Sequence, residues 1–377
     1  MARTSQRLSR PRLDSVTIRG FKTIRELKEF RPGPLSVLIG PNGAGKSNFL
    51  SFFRMLSWAL APPGGLQEFV GKTGGASAIL HDGSERTSHI EGQLRLITEK
   101  GSNDYAFRLA FASADTLIFT EEKYRFSSSQ FSREAKWTEL GAGHRESNLL
   151  TKAEKGEPTA KVISALLRKV ISHQFHNTSD NARIRQKWDI EEGRWLKEDA
   201  GNLAPFLYRL SRDEPGYYKR IVDTIRLILP FFADFQFEAE YGRLLLKWRE
   251  RESDRVFNSG QAADGMLRIF ALVALLEQPE SDLPDVLLLD EPELGLHPYA
   301  IEVISEVIRS ASNHVQVILA TQSVSLIDRF NPEDIVVVER RGRDSHFGRL
   351  SEGELTEWLE QYTLSELWEK NVIGGRP

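Results

Sequence analysis

Two groups of residues in this 377-residue chain have the types and spacing to do chemistry together. The first is Gly40-Pro41-Asn42-Gly43-Ala44-Gly45-Lys46-Ser47, which fits G-x-x-x-x-G-K-[ST] at every position. The glycines let backbone N–H groups curl around an anion, and a following helix adds the positive end of its dipole. Lys46 is placed to reach β- and γ-phosphates, and the Ser47 hydroxyl to ligate Mg²⁺. Asn48 extends the same nucleotide-binding stretch. The second group is Val286-Leu287-Leu288-Leu289-Asp290-Glu291. Its apolar part makes a buried strand that delivers two carboxylates at its C-terminal end, where ligands collect in open α/β sheets. Asp290 is expected to hold Mg²⁺, directly or through water, and Glu291 to polarise an attacking water as general base.

These groups need a scaffold. Leu35-Ser36-Val37-Leu38-Ile39 is a short apolar run, the pattern of a buried strand. Residues 46–60 follow as a helix apolar around most of its circumference, hence buried, and Pro62-Pro63-Gly64-Gly65 stops it. Residues 13–19 and 23–30 read as paired strands, and 71–84 as loop. Residues 89–98, 105–112, 116–125 and 133–140 alternate like an antiparallel meander, with Gly101-Ser102-Asn103-Asp104 as a turn. Residues 141–160 read as a polar connection, followed by helical spacing at 159–173, 203–211 and 217–229. A hairpin is expected at 235–240 and 244–249. Helices at 265–277, 299–310 and 324–329 then alternate with strands at 286–289, 315–320 and 335–339, the signature of a largely parallel sheet. The expected fold is α/β: a mainly parallel core sheet, an antiparallel β subdomain and a helical insertion, with no long coiled coil. The expected boundaries are 1–140 for a first lobe, 141–233 for the insertion and 234–377 for a second lobe.

Composition narrows the classes. Hydrophobic residues are 40% and charged residues 27%, which excludes wholesale disorder. With 50 Lys+Arg against 53 Asp+Glu the formal charge is -3, so bulk basicity is excluded but a local basic face is not. The absence of Cys rules out disulfides, thiolate metal sites and thiol nucleophiles. The first twelve residues lack an apolar core, and no apolar run approaches the ~20 residues of a membrane span. A cytoplasmic protein without membrane contact is expected.

Asp290-Glu291-Pro292-Glu293-Leu294-Gly295-Leu296-His297-Pro298 resembles the Walker B and D-loop of ATP-binding-cassette ATPases, and within them the SMC/RecF-like heads, including the ATPase half of the overcoming-lysogenization-defect nucleases. Ile18-Arg19-Gly20-Phe21-Lys22-Thr23-Ile24 is similar to their first strand and turn. Leu364-Ser365-Glu366-Leu367-Trp368-Glu369-Lys370-Asn371-Val372-Ile373-Gly374-Gly375-Arg376-Pro377 resembles a narrower group of stand-alone bacterial ATPases without a Toprim domain, as do Phe175-His176-Asn177-Thr178-Ser179 and Gly201-Asn202-Leu203.

The resemblance implies ATP and Mg²⁺ as ligands and a head-to-tail homodimer with each ATP sandwiched between two subunits. The signature segment is Ala262-Ala263-Asp264-Gly265-Met266-Leu267-Arg268, with Asp264 expected as N-cap and Gly265 letting a phosphate approach the helix. Ala263 stands where the family usually has Ser; either Ser259 substitutes or backbone N–H groups act alone. Gln322 stands where cassette ATPases usually have His, and its amide can donate to a γ-phosphate oxygen without shuttling a proton. Gln93 is a candidate for the Q-loop.

The expected function is an ATPase that switches a dimer, in DNA-related or anti-phage work with a separately encoded effector such as a Toprim-like nuclease. A nucleotide-binding scaffold with little turnover and a transporter ATPase subunit are the alternatives. The chain after Glu339 is too short for the rest of a Toprim domain. His173, His176 and Asp180 have metal-like spacing but lack a fourth ligand. The basic clusters at 183–187 and 243–251 could meet DNA phosphates, with a solvated face equally in view. Trp188, Trp195 and Trp248 could stack on bases, with core or interface packing the stronger reading, and Glu354, Glu357 and Glu360 read as helix surface.

Overall fold

The computed structural model describes residues 10–61, 64–130, 135–350, 358 and 361–376. The first twelve residues fall largely outside these, as do Pro62, Pro63, part of 133–140, Glu354, Glu357 and Glu360. Among the described residues the core sheet has six strands, in the order Asp344–Arg349, Ile335–Arg341, Leu35–Ile39, Gln316–Thr321, Val286–Asp290 and Val170–His173. All neighbours are parallel except the Ile335–Arg341/Asp344–Arg349 hairpin. The parallel strands are apolar throughout because both faces are covered. Val37, Ile39, Leu287 and Leu319 enter one core, and Leu38, Leu288, Ile318 and Val338 the other.

The first core receives helix Asp264–Leu276, whose residues from Met266 onward are all buried except Arg268. The second receives helix Lys46–Ala59 and an antiparallel sheet ordered Ile24–Phe30, Arg12–Phe21, His89–Thr98, Gly101–Ala112, Thr116–Ser128 and Thr138–Gly141. Gly92 matters at this contact. A Cβ there would lie 2.4 Å from the Phe107 ring and 2.9 Å from Phe52, and its absence lets those rings stack with centroids 6.0 Å apart. The longest helix among the described residues, Pro298–Ser312, has 15 residues, so no coiled-coil arm projects from them. No described helix is long and apolar enough to cross a membrane.

Several local expectations are corrected. Residues 71–84 are not simply loop: helices span Gly65–Thr73 and Ala76–Ile79. Their N-terminal N–H groups are satisfied from afar, by Glu146 on Leu66 and Gln67 and by Asp115 on Ser77. Gly101 starts a strand instead of a turn, pairing with Thr98 across a tight connection. The polar stretch 141–160 contains helix Asn148–Glu154 and the start of helix Pro158–Leu167, capped by Ser147 and Glu157. The helix expected over 159–173 ends early, because Val170–His173 pairs in parallel with Val286–Leu289. Segment 141–233 thus contributes an edge strand to the core sheet, besides its helices. Strand Asp344–Arg349 was not expected; it follows a tight turn at Gly342 (φ 64°). Strand Ile335–Arg341, which carries Glu339, lies beside the phosphate-loop strand in this sheet.

Candidate functional site

The loop at 40–47 follows strand Leu35–Ile39 and precedes helix Lys46–Ala59, as its sequence requires. Gly40, Gly43 and Gly45 have φ of 152°, 77° and 115°, where L side chains are strained. Space enforces two of them as well: a Cβ would lie 2.1 Å from the Val338 carbonyl at Gly40 and 2.1 Å from Ser345 Oγ at Gly45. Ser345 Oγ donates to the Ala44 carbonyl at 2.6 Å, with Thr23 Oγ1 2.7 Å away. Asn48 Nδ2 donates to the same Thr23 oxygen at 2.8 Å, so Asn48 braces the loop from below. Pro41, Asn42 and Gly43 form its outer rim.

Lys46 is 5% exposed, and its Nζ donates to the Gly40 carbonyl at 2.5 Å and the Pro41 carbonyl at 3.1 Å. Burial lowers the pKa of its ammonium, and the charges of Glu291, Asp290 and Glu293 oppose that shift in that order. Phosphate oxygens would be stronger acceptors than these two carbonyls.

Strand Val286–Asp290 ends directly opposite. Ser47 Oγ donates to Asp290 Oδ1 at 3.0 Å. Burial raises the Asp290 pKa, which the Ser47 hydrogen bond and the His176 and Lys46 charges partly offset. A buried carboxylate facing a hydroxyl oxygen, beside the phosphate loop, is a donor set of hard oxygens that suits Mg²⁺. Glu291 is half-buried and held at φ 41° by an N–H bond to the Ala320 carbonyl at 2.8 Å. A left-handed non-glycine residue stores strain, which is common where a side chain must be aimed. Gln322 follows strand Gln316–Thr321 and is half-buried.

The structure adds Gln174, which sequence reasoning missed, and places His176 at the Asp290 strand end instead of in a metal site. Gln174 Nε2 donates to Asp290 Oδ2 at 3.3 Å, and Gln174 Oε1 accepts from Arg54 at 2.9 Å. His176 Nε2 donates to the Asp290 carbonyl at 2.9 Å, which leaves Nδ1 to accept from Gln174 Nε2 at 3.1 Å. Gln93, the earlier candidate, instead sits in the middle of the meander, paired with Thr17 and Ala106. Local sequence marked only the neighbouring 175–179 motif; the pairing of Val170–His173 with the carboxylate strand brings Gln174 in. Beyond Gln174 and His176 opens a cavity of about 910 Å³, lined also by Arg54, Trp58, Trp195 and Glu198.

The signature segment departs from expectation. Helix Asp264–Leu276 has Ala263 as N-cap, with no side-chain cap, so Asp264 is not the cap. Asp264 Oδ1 accepts from Arg185 at 3.0 Å. Arg185 also donates to the carbonyls of Thr178, Ser259 and Ala262. Ser259 is fully buried, its Oγ donating to the Arg185 carbonyl, so it does not replace the missing signature hydroxyl. A Cβ on Gly265 would lie 2.8 Å from the Gly295 carbonyl, packing the helix start against the chain's own D-loop segment. Arg268 ties both to the Gln174 loop, donating to the carbonyls of Leu294, Phe175 and His176. Asp264 and Gly265 therefore do not join Lys46 within one chain; their contacts are with Arg185 and Gly295.

Burial lowers the His173 pKa to about 4, and no metal-competent cluster of His and carboxylates occurs among the described residues. The cluster at 183–187 is paired, Arg183 with Asp199, Arg185 with Asp264 and Lys187 with Glu240; at 243–251 Lys247 pairs with Glu238, while Arg243, Arg249 and Arg251 are exposed. Trp248 is a core residue at 1% exposure, whereas Trp195 is 52% exposed.

Against known proteins, residues 35–328 match a family model described as "AAA domain, putative AbiEii toxin, Type IV TA system". No curated protein sequence matches significantly. Among solved structures the chain is similar to an Smc head bound to the C-terminal winged-helix domain of ScpA (14% identity, TM-score 0.60, 92% of this chain and 99% of that one). It is also similar to an Smc head with an extended coiled coil bound to the C-terminal domain of ScpA from Pyrococcus furiosus (13% identity, TM-score 0.56, 93% and 99%). A third is an Smc head with a coiled coil and joint from Pyrococcus yayanosii (12% identity, TM-score 0.53, 93% and 99%). At these identities the similarity is one of fold.

Proposed function

We propose, given that the chain belongs to this AAA-domain family and is an ATPase of the SMC-head type, that ATP binding closes a homodimer and hydrolysis reopens it. The observation that carries this reading is the convergence of Lys46, Ser47, Asp290 and the strained Glu291 at one end of the core sheet. Lys46 exchanges its two carbonyl partners for β- and γ-phosphate oxygens. Ser47 and Asp290 would hold Mg²⁺, which neutralises charge on the phosphate oxygens when bound. Glu291 orients a water for in-line attack on the γ-phosphorus, and the bond to the β-phosphate oxygen breaks, releasing ADP and phosphate. Gln322 donates to a γ-phosphate oxygen, and Gln174 holds the Asp290 carboxylate in place.

Closure supplies what one chain lacks. The exposed N-terminus of helix Asp264–Leu276, at Ala263 and Asp264, is presented to the ATP of a second subunit through its backbone N–H groups. Electrostatic preorganisation around the phosphates provides most of the rate. The family description names a toxin of a toxin–antitoxin system, which supports placing the switch in anti-phage defence; a separate effector is proposed on the resemblance alone. The switch's work on DNA is proposed on the same ground.

The decisive experiment is ATP hydrolysis by the Lys46→Ala variant. Turnover is expected to fall by at least about 100-fold; unchanged turnover would refute the reading. A scaffold with little turnover is the second reading, favoured by the burial of Ser259 beside Ala263. Tight ATP binding with hydrolysis at background would select it.

A further inference from the structure

The segment from Thr363 to Arg376 is absorbed by neither the phosphate chemistry nor the dimer. It is nevertheless tied to both sides of the phosphate site. At one end, Ser365 donates its backbone N–H and its hydroxyl to the Asp328 carboxylate at 2.8 and 2.6 Å. Asp328 is the C-cap of helix Val324–Ile327, which begins two residues after Gln322. Helix Leu364–Glu369 then buries Trp368 completely, and the Trp368 indole N–H donates to the Gly375 carbonyl.

The other end rests on the phosphate loop. Gly375 N–H donates to Glu339 Oε1 at 2.9 Å. Together with Arg341, that bond holds the Glu339 carboxyl below its usual range. The approach is close at both glycines. A Cβ on Gly374 would lie 2.4 Å from Glu339 Oε1, and one on Gly375 would lie 2.6 Å from Val337 Cγ1, 3.5 Å from the Val338 carbonyl and 3.7 Å from Gly40 Cα. Both glycines have positive φ, 78° and 61°. Gly40 is the residue whose carbonyl accepts from Lys46.

We propose that Glu339 and Gly375 are positioning residues for the phosphate loop: the segment clamps Gly40, and through it Lys46, while Trp368 and Ser365 tie the same clamp to the helix after Gln322. The proposal rests on the ATP-site reading above and deepens it. The clamp sets nucleotide affinity and takes no part in the bond-breaking step.

The test measures the affinity of the full chain for a non-hydrolysable ATP analogue with Mg²⁺ by calorimetry, alongside KM and kcat for ATP and the Tm without nucleotide. Glu339→Ala removes the acceptor and should weaken binding about tenfold, raising KM while kcat stays within about twofold. Glu339→Gln keeps an oxygen for the Gly375 N–H and should restore affinity to within about twofold. Arg341→Ala breaks only the exposed ion pair at Glu339 Oε2 and should bind like the wild type. Asp328→Ala should weaken binding in the same direction as Glu339→Ala. Wild-type affinity in Glu339→Ala, or equal weakening in Glu339→Ala and Glu339→Gln, overturns the clamp. A drop in Tm without a change in affinity also overturns it, by reducing the segment to a fold stabiliser. Failure of the ATP reading shows separately, as Lys46→Ala binding the analogue as the wild type does.

Discussion

Ser47 Oγ donates to Asp290 Oδ1 across 3.0 Å, joining residues 243 positions apart in the chain. One ends the phosphate loop and the other ends the strand carrying the carboxylates. Removing either oxygen should remove half of a Mg²⁺ site. Asp290→Asn should make ATP hydrolysis at least about 100-fold slower, and excess Mg²⁺ should recover part of it. Turnover unaffected by the substitution would remove Asp290 from the site.

Gln174 connects that carboxylate to Arg54. Gln174→Ala should lower kcat about tenfold or more while ATP affinity changes little, since the phosphate loop keeps its own supports. Steady-state kinetics with a direct binding measurement separates the two effects. A large loss of affinity with kcat intact would assign Gln174 to the phosphate loop instead.

Burial lifts the Glu293 pKa to about 7; Thr321 donates to Oε1, and Oε2 is buried without a hydrogen-bond partner. The folded protein therefore holds a proton there that the unfolded chain, near pH 4.5, releases. This contribution is full below about pH 4.5 and is lost as pH rises through about 7. Its size is on the order of 3 kcal/mol. Glu293→Gln should flatten the fall in stability between pH 5 and 8 and raise stability at pH 8. Denaturant unfolding across that range checks it, and an unchanged slope contradicts it.

Arg185, at 8% side-chain exposure, joins Thr178, Ser259, Ala262 and Asp264. Arg185→Ala removes donors from the buried Thr178 and Ala262 carbonyls, at a cost of about 1–3 kcal/mol. It should also loosen the entry to helix Asp264–Leu276, so ATP-dependent association should weaken more than ATP binding by the single chain. Equal loss of both would limit Arg185 to a role in stability.

The phosphate loop, the carboxylate strand and the parallel sheet were legible in the sequence because each is local: a glycine pattern, an apolar run, a helix–strand alternation. Gln174 was not, because its place depends on strand Val170–His173 lying beside Val286–Leu289, and the same periodicity continues from the helix before it. Asp264 was misplaced as the cap, and Ser259 was left as one of two alternatives, for a related reason. Both are governed by Arg185, more than 70 residues earlier, whose hydrogen bonds override the local capping preference. The helices within 65–79 likewise take their N-terminal partners from Asp115 and Glu146.

The central claim, ATP-driven closure, is tested most directly by the mass in solution of Glu291→Gln with ATP and Mg²⁺. The substitution removes the water-orienting carboxylate and leaves Lys46, Ser47 and Asp290 in place. ATP should stay bound and the protein should accumulate as a dimer, while the nucleotide-free variant and Lys46→Ala stay monomeric. A Glu291→Gln protein that binds ATP yet remains a monomer at every concentration tested would contradict the switch.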